Sequence, residues 1–243
     1  MEKILVIPDC HVPYEDPRAF GLMLKAGKLL KPKTIIILGD FGDLMSCSRF
    51  DKGPLEAMVQ FDYEMEKVNK RLDEVDSLGA KKKKFIAGNH EARLASLLKR
   101  QALALYNTLS IPKILKLKER GWDYYEYGQH CRYGKVTYAH DFDCLGPYAH
   151  IRAGAIVESS VVHGHTHHAG MNYSGNALGS HHVAIQLGWL GSEKAATYMK
   201  PCKIRKNWQH AFGVGYMEPD GTTHLSIVPI IKGVCVVEGK RIS

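Results

Sequence analysis

The stretch "KILVIPDCH", residues 3–11, joins a short apolar segment to a loop that carries an acid and an imidazole. The segment KILVI has the β-branched character of a buried strand. Asp9 and His11 follow it two positions apart, so in extended backbone their side chains point the same way. The stretch therefore predicts a strand whose carboxyl end presents a carboxylate and an imidazole on one side.

Two further stretches repeat this arrangement. "TIIILGDFGD", residues 34–43, runs from a strand into two aspartates, and "KKFIAGNHE", residues 83–91, runs from a strand into Asn89 and His90. A segment with helical spacing of apolar residues follows each strand, and the second of these begins with Pro54 and stops at a glycine. The helices are predicted at residues 18–31, 54–79 and 91–109. This β-α-β-α-β order indicates a parallel sheet covered by helices.

From about residue 122 the pattern changes to short, closely spaced strands, with one helix predicted at 146–158. The strands are predicted at 122–127, 130–134, 135–140, 159–164, 181–190, 210–219, 223–231 and 234–242, the last four forming an antiparallel C-terminal third. No repeat or linker divides the chain, so residues 1–243 are expected to form one α/β domain.

Composition narrows the class of protein. The 243 residues are 45% hydrophobic, which allows a substantial core, and the six cysteines show no CxxC pair that would suggest a disulfide framework or a zinc finger. The N-terminal apolar run is too short for a signal peptide, and no stretch is long enough for a membrane span, so a cytoplasmic protein without membrane contact is expected. The formal net charge of +8 favours phosphate-rich partners.

Polar side chains converge from five strand ends. Groups beyond the carboxyl ends of parallel strands meet in one crevice. The side chains brought there are Asp9, His11, Asp40, Asn89, His140, His165 and His167. His140 is preferred over His130, which starts a strand, and over His150, which falls inside a predicted helix. Oxygen and nitrogen donors without a thiolate suit divalent Mn, Fe or Zn, and seven donors exceed the needs of one ion, which predicts a two-metal centre.

The order of these motifs is similar to that of a known protein family. DxH, GDxxD, GNHE, a strand-terminal histidine and GHTH, between residues 9 and 167, resemble the calcineurin-like metallophosphoesterase superfamily. The resemblance implies a β-sandwich of mixed sheets flanked by helices, with parallel N-terminal β-α-β units and antiparallel C-terminal strands. It also implies two divalent ions, Mn²⁺ first, with Fe, Zn, Ni and Mg as alternatives.

The resemblance further implies a role for each residue. Asp9, His11 and His167 would bind the first ion, Asp40 would bridge, and the second ion would be bound by Asn89, His140 and His165. A hydroxide activated by both ions would attack phosphorus, and His90 would screen the developing charge and donate to the leaving oxygen.

Glu91 and Asp141, which lie next to predicted site residues, each allow two interpretations. Glu91 either orients His90 or complements the charge of a helix N-terminus. Asp43 is expected to hold the strand-two loop as a supporting carboxylate, and Asp141 either steadies His140 or is solvated. In "VVHGHTHHAG", residues 161–170, His163 is expected to pack beneath the site and His168 to point away from it.

Departures from the protein-phosphatase motifs and the positions of basic residues indicate the substrate class. Protein phosphatases of the superfamily carry Gly after the first His and GDxVDRG, whereas here Val12 follows His11 and the Arg-Gly pair is missing, so the chain resembles the phosphodiesterase and SbcD-type nuclease side. Basic residues expected on the active-site side are Arg49, Lys52 and Arg93. The segment 198–210, with Tyr198, Lys200, Lys203, Arg205, Lys206 and Trp208, suits phosphate contacts with base stacking, or is an exposed basic loop.

The sequence thus predicts a metal-dependent phosphodiesterase that acts on DNA, RNA or nucleotides. The alternative is a phosphomonoesterase or small-nucleotide hydrolase. A protein phosphatase is disfavoured by the departures above, and a non-catalytic scaffold is disfavoured because every expected ligand is present. Nothing in the sequence indicates an oligomeric state.

Overall fold

Two β-sheets face each other in the computed structural model, which describes residues 1–49, 60–175, 177, 179–194 and 207–243. The first sheet is built from β1 (Glu2–Ile7), β2 (Thr34–Ile37), β3 (Lys82–Ile86), β4 (Trp122–Tyr125), β10 (Ala211–Met217) and β11 (Thr223–Pro229). Its order is β11-β10-β1-β2-β3-β4. The strands β1 to β4 are parallel, whereas β10 runs antiparallel to β1 and to β11.

The second sheet consists of β5 (Cys131–Tyr133), β6 (Val136–Ala139), β7 (Ser160–His163), β8 (Ala169–Gly175) and β9 (His181–Leu187). Its order is β5-β6-β7-β9-β8, with β6, β7 and β9 parallel and with antiparallel strands at both edges. A separate hairpin pairs β12 (Cys235–Val237) with β13 (Lys240–Ile242).

The helices are α1 (Pro17–Leu30), α2 (Phe61–Asp76), α3 (Ala92–Gln101), α4 (Ile111–Ile114) and α5 (Ala149–Val157). Local chemistry explains the ends of α1. The carboxylate of Asp16 accepts hydrogen bonds from the backbone N–H groups of Arg18 and Ala19, Pro17 occupies the first turn, and Lys31 closes the helix in the left-handed conformation. None of the described helices combines the length and the apolar run that crossing a bilayer would need.

Apolar side chains organise these elements into four layers. Alternate residues of β1 face opposite ways, so Ile4 and Val6 pack against the second sheet while Leu5 and Ile7 pack beneath the helices. On the far side of the second sheet, α5 buries Ala149 and other small residues against β7 and β9. The order helix, sheet, sheet, helix confirms the fold class predicted from the sequence.

Several predicted elements differ in extent. Part of the predicted helix 54–79 lies outside the described residues; α2 begins at Phe61, and Gln60 before it is extended, so no single helix runs through that point. The predicted helix 91–109 ends as α3 at Gln101, because Ala102 leaves helical geometry and the chain continues into a short 3-10 turn. Leu103 beyond it is 69% exposed, so burial provides no reason for the helix to continue.

The C-terminal third also differs in detail. The predicted strand 234–242 is a hairpin, because Glu238 and Gly239 both adopt positive φ and reverse the chain between β12 and β13. The strand β8 was not predicted, and β9 lies parallel to β7 as well as antiparallel to β8. Strand pairing depends on residues distant in sequence, which local patterns do not report.

Candidate metal centre

The seven predicted ligand residues come together at one edge of the sandwich. The loops after β1, β2 and β3 supply the carboxylates, one imidazole and the amide, and the ends of β6 and β7 supply the other three imidazoles. In chain order the residues are Asp9, His11, Asp40, Asn89, His140, His165 and His167. The site therefore lies where the carboxyl ends of strands from both sheets meet.

A first group contains Asp9, His11 and His167, whose ligand atoms lie within 4.8 Å of one another and are buried. Nε2 of His11 lies 3.0 Å from Nε2 of His167. The other nitrogen of His11, Nδ1, lies 2.9 Å from a carboxylate oxygen of Asp43 and therefore donates its proton there. This leaves a lone pair on Nε2 that faces the second imidazole, an arrangement that a cation between the rings would stabilise.

A second group contains Asp40, His140 and His165. Nδ1 of His140 donates to the carbonyl oxygen of Leu38 at 2.8 Å, so Nε2 points into the site and is the atom that would bind a cation once its proton is lost. This Nε2 faces the Asn89 amide oxygen at 2.9 Å, Nδ1 of His165 at 3.2 Å and the Asp40 carboxylate at 3.4 Å. Convergence of acceptors on one point fits a bound divalent cation.

Asp40 links the two groups. Its carboxylate lies 3.4 Å from Nε2 of His140 and 4.0 Å from Nε2 of His11. It also forms a third cluster of ligand atoms with His11 and His90. A carboxylate in this position could coordinate two ions at once, and the nitrogen and oxygen donors around it suit Mn, Fe or Zn.

The backbone at the site is strained. Four of the predicted ligand residues, none of them glycine, have positive φ: His11 at 55°, Asp40 at 46°, His165 at 66° and His167 at 59°. This region is costly for residues with a Cβ, and such residues cluster at functional sites. The positive φ values turn these side chains toward the site, whereas the side chains at a regular strand end would point elsewhere.

Two glycines allow the carboxylates to approach the backbone. A Cβ at Gly88 would collide with a carboxylate oxygen of Asp40, and a Cβ at Gly164 would collide with one of Asp9. The Asp9 carboxylate instead accepts the backbone N–H of His165 at 3.0 Å. The glycines that precede Asn89 and His165 are therefore required by close contact.

The electrostatics favour a cation in the pocket. Burial raises the pKa of Asp9 to about 7, against the opposing charge of His140. Burial alone would lower the pKa of His140, but the charges of Asp40 and Asp9 raise it to about 10. Burial lowers the pKa of His167, and the neighbouring His11 adds to the effect. A carboxylate with a raised pKa and an imidazole that stays protonated both indicate an excess of negative charge in the pocket. Metal ions would neutralise that excess.

His90 projects toward both groups. Its Nδ1 lies 3.0 Å from the Asp43 carboxylate and 2.8 Å from the Asp43 carbonyl oxygen, and its Nε2 lies 3.7 Å from the Asp40 carboxylate. The Arg93 guanidinium lies 2.8 Å from the same Nε2. Arginine can only donate, so Nε2 accepts in this arrangement and the imidazole is neutral. Burial alone would lower the pKa of His90, but the neighbouring Asp40 and Asp43 raise it above its usual value. Because Nε2 accepts a hydrogen bond from Arg93, His90 can take a proton there only after Arg93 has moved.

The role of Glu91 differs from both interpretations drawn from the sequence. Its carboxylate accepts the backbone N–H groups of Asp40, Gly42 and Gly88 at 2.9, 2.9 and 2.8 Å. It therefore joins the loops after β2 and β3, and His90 is oriented by Asp43 instead. Asp43 is a supporting carboxylate, as expected, but its carboxylate contacts His11 and His90 and does not hold the strand-two loop.

Comparison with known proteins identifies the family. A family model described as calcineurin-like phosphoesterase matches residues 2–215. The chain belongs to the calcineurin-like phosphoesterase family. This phosphoesterase chain is 26% identical to the gene 54 proteins of Mycobacterium phages L5 and D29, in alignments that cover 98% of this chain and 98% and 97% of those proteins.

Solved structures similar to this phosphoesterase chain include two Vps29 proteins. Vps29 of Chaetomium thermophilum aligns with a TM-score of 0.48 and 13% identity, covering 100% of this chain and 97% of the other. A D62A mutant of Vps29 from Entamoeba histolytica aligns with a TM-score of 0.46 and 13% identity, covering 99% and 98%.

His130, His150, His163 and His168 belong to none of the groups of ligand atoms found among the described residues. His130 is exposed, and His150 is buried in α5, where its backbone N–H donates to Gln186. His163 is fully buried in β7, as expected for a residue that packs beneath the site. Nδ1 of His168 lies 2.6 Å from the carbonyl oxygen of Thr166.

Two tryptophans enclose one imidazole of the candidate metal centre. The ring of Trp189 stacks on His167 with centroids 4.7 Å apart, and Trp208 meets the same imidazole edge-on at 4.4 Å. Nδ1 of His167 has no hydrogen-bond partner among the described residues, so packing between the indoles holds this imidazole. Sequence reasoning missed Trp189 and expected Trp208 only to stack on bases. A signal for Trp189 was present, because it follows a glycine, as Asp40, Asn89 and His165 do.

Asp141 does not steady His140, because the Leu38 carbonyl does so. The basic residues Lys52, Lys200, Lys203, Arg205 and Lys206, together with Tyr198, lie outside the described residues.

Proposed function

We propose that the protein is a metal-dependent phosphodiesterase that hydrolyses nucleic acid or nucleotides. One observation carries this proposal: two groups of buried ligand atoms share Asp40, and His90 lies beside both of them. Asp9, His11 and His167 would hold one ion, Asn89, His140 and His165 the other, and Asp40 both. When bound, two divalent ions supply Lewis acidity at the phosphate and make a nucleophilic water more acidic.

The protein's own residues would prepare the site for this chemistry. Asp43 keeps the Nδ1 protons of His11 and His90 in place, so that both Nε2 atoms face the centre. Glu91 and the glycines hold the strand ends at the spacing that brings the two groups together. Preorganised groups of this kind need little rearrangement as charge develops on the phosphate.

His90 and Arg93 would act on the non-bridging oxygens and the leaving group. In the arrangement described above, Arg93 donates to Nε2 of His90 at 2.8 Å. An incoming phosphate offers the guanidinium a charged acceptor, which is a stronger partner than a neutral imidazole. Arg93 would then turn to the phosphate and release Nε2, which could take a proton from solvent water and pass it to the leaving oxygen.

Charge supports a polyanionic substrate. The chain carries a formal net charge of +8, and Arg49 and Arg93 lie at the same edge as the candidate centre. Trp208 adds an aromatic ring that is only half-buried and that contacts His167. Basic and aromatic groups around a hydrolytic centre are typical of proteins that bind nucleic acid strands.

The test is a panel of metals and substrates. The protein is stripped with chelator and given Mn²⁺, Mg²⁺, Zn²⁺, Ni²⁺ or Fe²⁺ singly. The substrates are p-nitrophenyl phosphate, bis(p-nitrophenyl) phosphate, cyclic nucleotides, single- and double-stranded DNA, and RNA. We expect the aryl diester and nucleic acid to be hydrolysed best with Mn²⁺, and Asp40→Asn to abolish this activity while the exposed Asp220→Asn retains it.

Other outcomes would contradict the proposal. Hydrolysis of the monoester alone would favour a phosphomonoesterase, and hydrolysis of cyclic nucleotides with intact DNA and RNA would favour a small-nucleotide hydrolase. Absence of hydrolysis with every metal would leave a binding role for the same fold.

A further inference from the structure

A cleft of about 390 Å³ opens beside Asn89, between α3 and the turn that follows β2. Its walls carry three arginines, of which Arg49 belongs to the turn and Arg93 and Arg100 belong to α3. Hydroxyl groups of Ser48 and Ser96 line it as well, and none of the described residues along its walls is acidic. We refer to this feature as the arginine cleft.

One face of α3 forms a long wall of the arginine cleft. Arg93, Ser96 and Arg100 are spaced by three and four residues, so they lie one above another on the helix surface. At a rise of 1.5 Å per residue, the two arginine Cα atoms are separated by about 10 Å along the axis. Successive phosphates of one DNA strand advance by only about 3.4 Å along the duplex axis. The wall is therefore long enough for more than one phosphate.

The opposite wall is held by a buried carboxylate. Glu64 of α2 is fully buried and accepts the backbone N–H groups of Met45 and Ser46 at 2.7 and 2.9 Å. These residues begin the short 3-10 turn Met45–Cys47 that leads to Arg49. Arg49 thus follows a turn that is tied to a helix.

The arginine cleft is continuous with the candidate metal centre. Asn89 lines the cleft, and its amide oxygen lies 2.9 Å from Nε2 of His140. Arg93 also belongs to both, since its guanidinium contacts His90 and donates to the Asp43 carbonyl oxygen at 2.8 Å. Arg100 lies farther along the wall, is exposed, and pairs with no carboxylate of the described residues.

We propose that the arginine cleft binds a second phosphate, which is not hydrolysed, next to the phosphate at the metal centre. The preferred substrate is then a strand with at least two phosphodiester groups, and a dinucleotide with a single phosphodiester is hydrolysed less efficiently than such a strand. This inference rests on the proposed function, because the second phosphate is defined relative to the hydrolysed one. Arginine suits this role, since its planar guanidinium binds phosphate oxygens in pairs and stays charged.

The test uses two substrates that differ by one phosphodiester. The kcat/KM of the metal-loaded enzyme is measured for the thymidine dimer TpT and for the trimer TpTpT, in the wild type, Arg49→Gln and Arg100→Gln. Arg241→Gln on β13 is the matched control, since it removes the same charge at an exposed position outside the matched family region. We expect the wild type and the control to prefer the trimer by about tenfold or more, the scale of a charged hydrogen bond.

We expect each cleft variant to lose most of that preference. The slope of log(kcat/KM) for TpTpT against log[salt] should also become shallower by about 0.7 for each phosphate of the single strand that the variant no longer neutralises. Urea midpoints equal to that of the wild type would show that the variants are folded.

The inference and the proposed function fail differently. If TpT and TpTpT are hydrolysed equally well, or if the preference survives in both cleft variants, the cleft has no such role, while TpT hydrolysis itself supports the proposed function. If bis(p-nitrophenyl) phosphate is hydrolysed and neither thymidine substrate is, the cleft inference falls and a general phosphodiesterase remains. If none of the three is hydrolysed with any metal, the proposed function fails and the inference falls with it.

Discussion

Asp43 shows what one side chain contributes to the centre. Its carboxylate lies 2.9 Å from Nδ1 of His11 and 3.0 Å from Nδ1 of His90, although these residues are far apart in the chain. Burial alone would raise the pKa of Asp43, but the hydrogen bonds from the two histidines lower it, so the carboxylate is ionised. One ionised carboxylate thus orients a candidate metal ligand and the candidate catalytic residue.

We predict that Asp43→Asn lowers metal affinity and turnover by about 10- to 100-fold, the usual effect of removing a group that orients ligands. Asparagine preserves the shape but removes the negative charge that strengthens the hydrogen bonds from the two imidazoles, both of which reach the same carboxylate oxygen. Calorimetric titration with Mn²⁺ and kcat measurements on the aryl diester would check this. Asp141→Asn is the matched control, because His140 is held by a backbone carbonyl and not by Asp141. Equal losses in both variants would contradict the role of Asp43.

At the residue scale, the sequence predicted which side chains would meet but not how they are held. The ligands follow apolar strands closely, and strand ends are readable from local patterns. The contacts of Asp43, Glu91 and Trp189 depend on loops separated by tens of residues. No local pattern contains that information.

At the scale of elements, the loops after β2 and β3 are joined by one carboxylate. Glu91 lies just before α3, and it accepts three backbone N–H groups from the two loops that carry Asp40 and Asn89. The N–H groups of Asp40, Gly42 and Gly88 are buried and would otherwise have no acceptor. The residue that precedes a helix therefore sets the spacing between two candidate ligands.

We predict that Glu91→Gln lowers the free energy of unfolding by about 1–3 kcal/mol, because an amide has only one acceptor oxygen and leaves at least one buried donor unpaired. Urea denaturation of the chelated protein would measure this. Glu126→Gln, at an exposed position, serves as the control and should change stability by less than about 0.5 kcal/mol. A loss in Glu91→Gln no larger than in the control would show that the loops are held by other contacts.

Elements were predicted well where burial dictates the pattern and poorly where it does not. The strands β1 and β2 are buried along most of their length and β3 is buried at its carboxyl end, and their apolar runs identified them. The end of α3 was misplaced because the leucines beyond it suggested a buried face, whereas Leu103 and Leu105 are exposed. Hydrophobic spacing reports helix potential, and tertiary packing decides whether that potential is used.

At the scale of the whole molecule, the two sheets are tied together at the edge where β1 begins. The Glu2 carboxylate accepts hydrogen bonds from Thr34 of the first sheet and from the Tyr133 hydroxyl of the second. Partial burial would raise the pKa of Glu2, but these hydrogen bonds and a neighbouring lysine ammonium lower it to about 2. A carboxylate that loses protons more readily when folded stabilises the folded state while it is ionised.

We predict that Glu2→Gln destabilises the protein near neutral pH and that this difference shrinks as the pH falls. The folded pKa lies below the unfolded value of 4.5, so the contribution is complete above about pH 5 and is lost as the pH falls toward 2. Chemical denaturation of wild type and variant at several pH values would measure it. A difference that stays constant across this range would contradict the linkage.

Metal binding should stabilise the whole molecule. The candidate ligands come from both sheets, so the complete centre exists only in the folded state. At 100 times the Kd, binding to the folded state alone adds about 2.7 kcal/mol, which raises the Tm of a chain of this size by about 5–10 °C. Differential scanning fluorimetry with and without chelator would show the shift. Asp40→Asn should abolish most of it and the exposed Asp123→Asn should keep it; an unchanged shift in Asp40→Asn would remove Asp40 from the ligands.

The sequence by itself determined the order of the strands and helices from β1 to β3, the fold class and the identities of the side chains at the strand ends, because apolar periodicity and turn residues act over a few positions. The tertiary structure decided the pairing of β9 with β7 and the contacts that orient the imidazoles. It also brought Arg49 of one loop into the same cleft as Arg100 of a helix. These features depend on which distant segments come into contact. Those contacts form only when the two sheets pack together and the loops between them adopt their final positions.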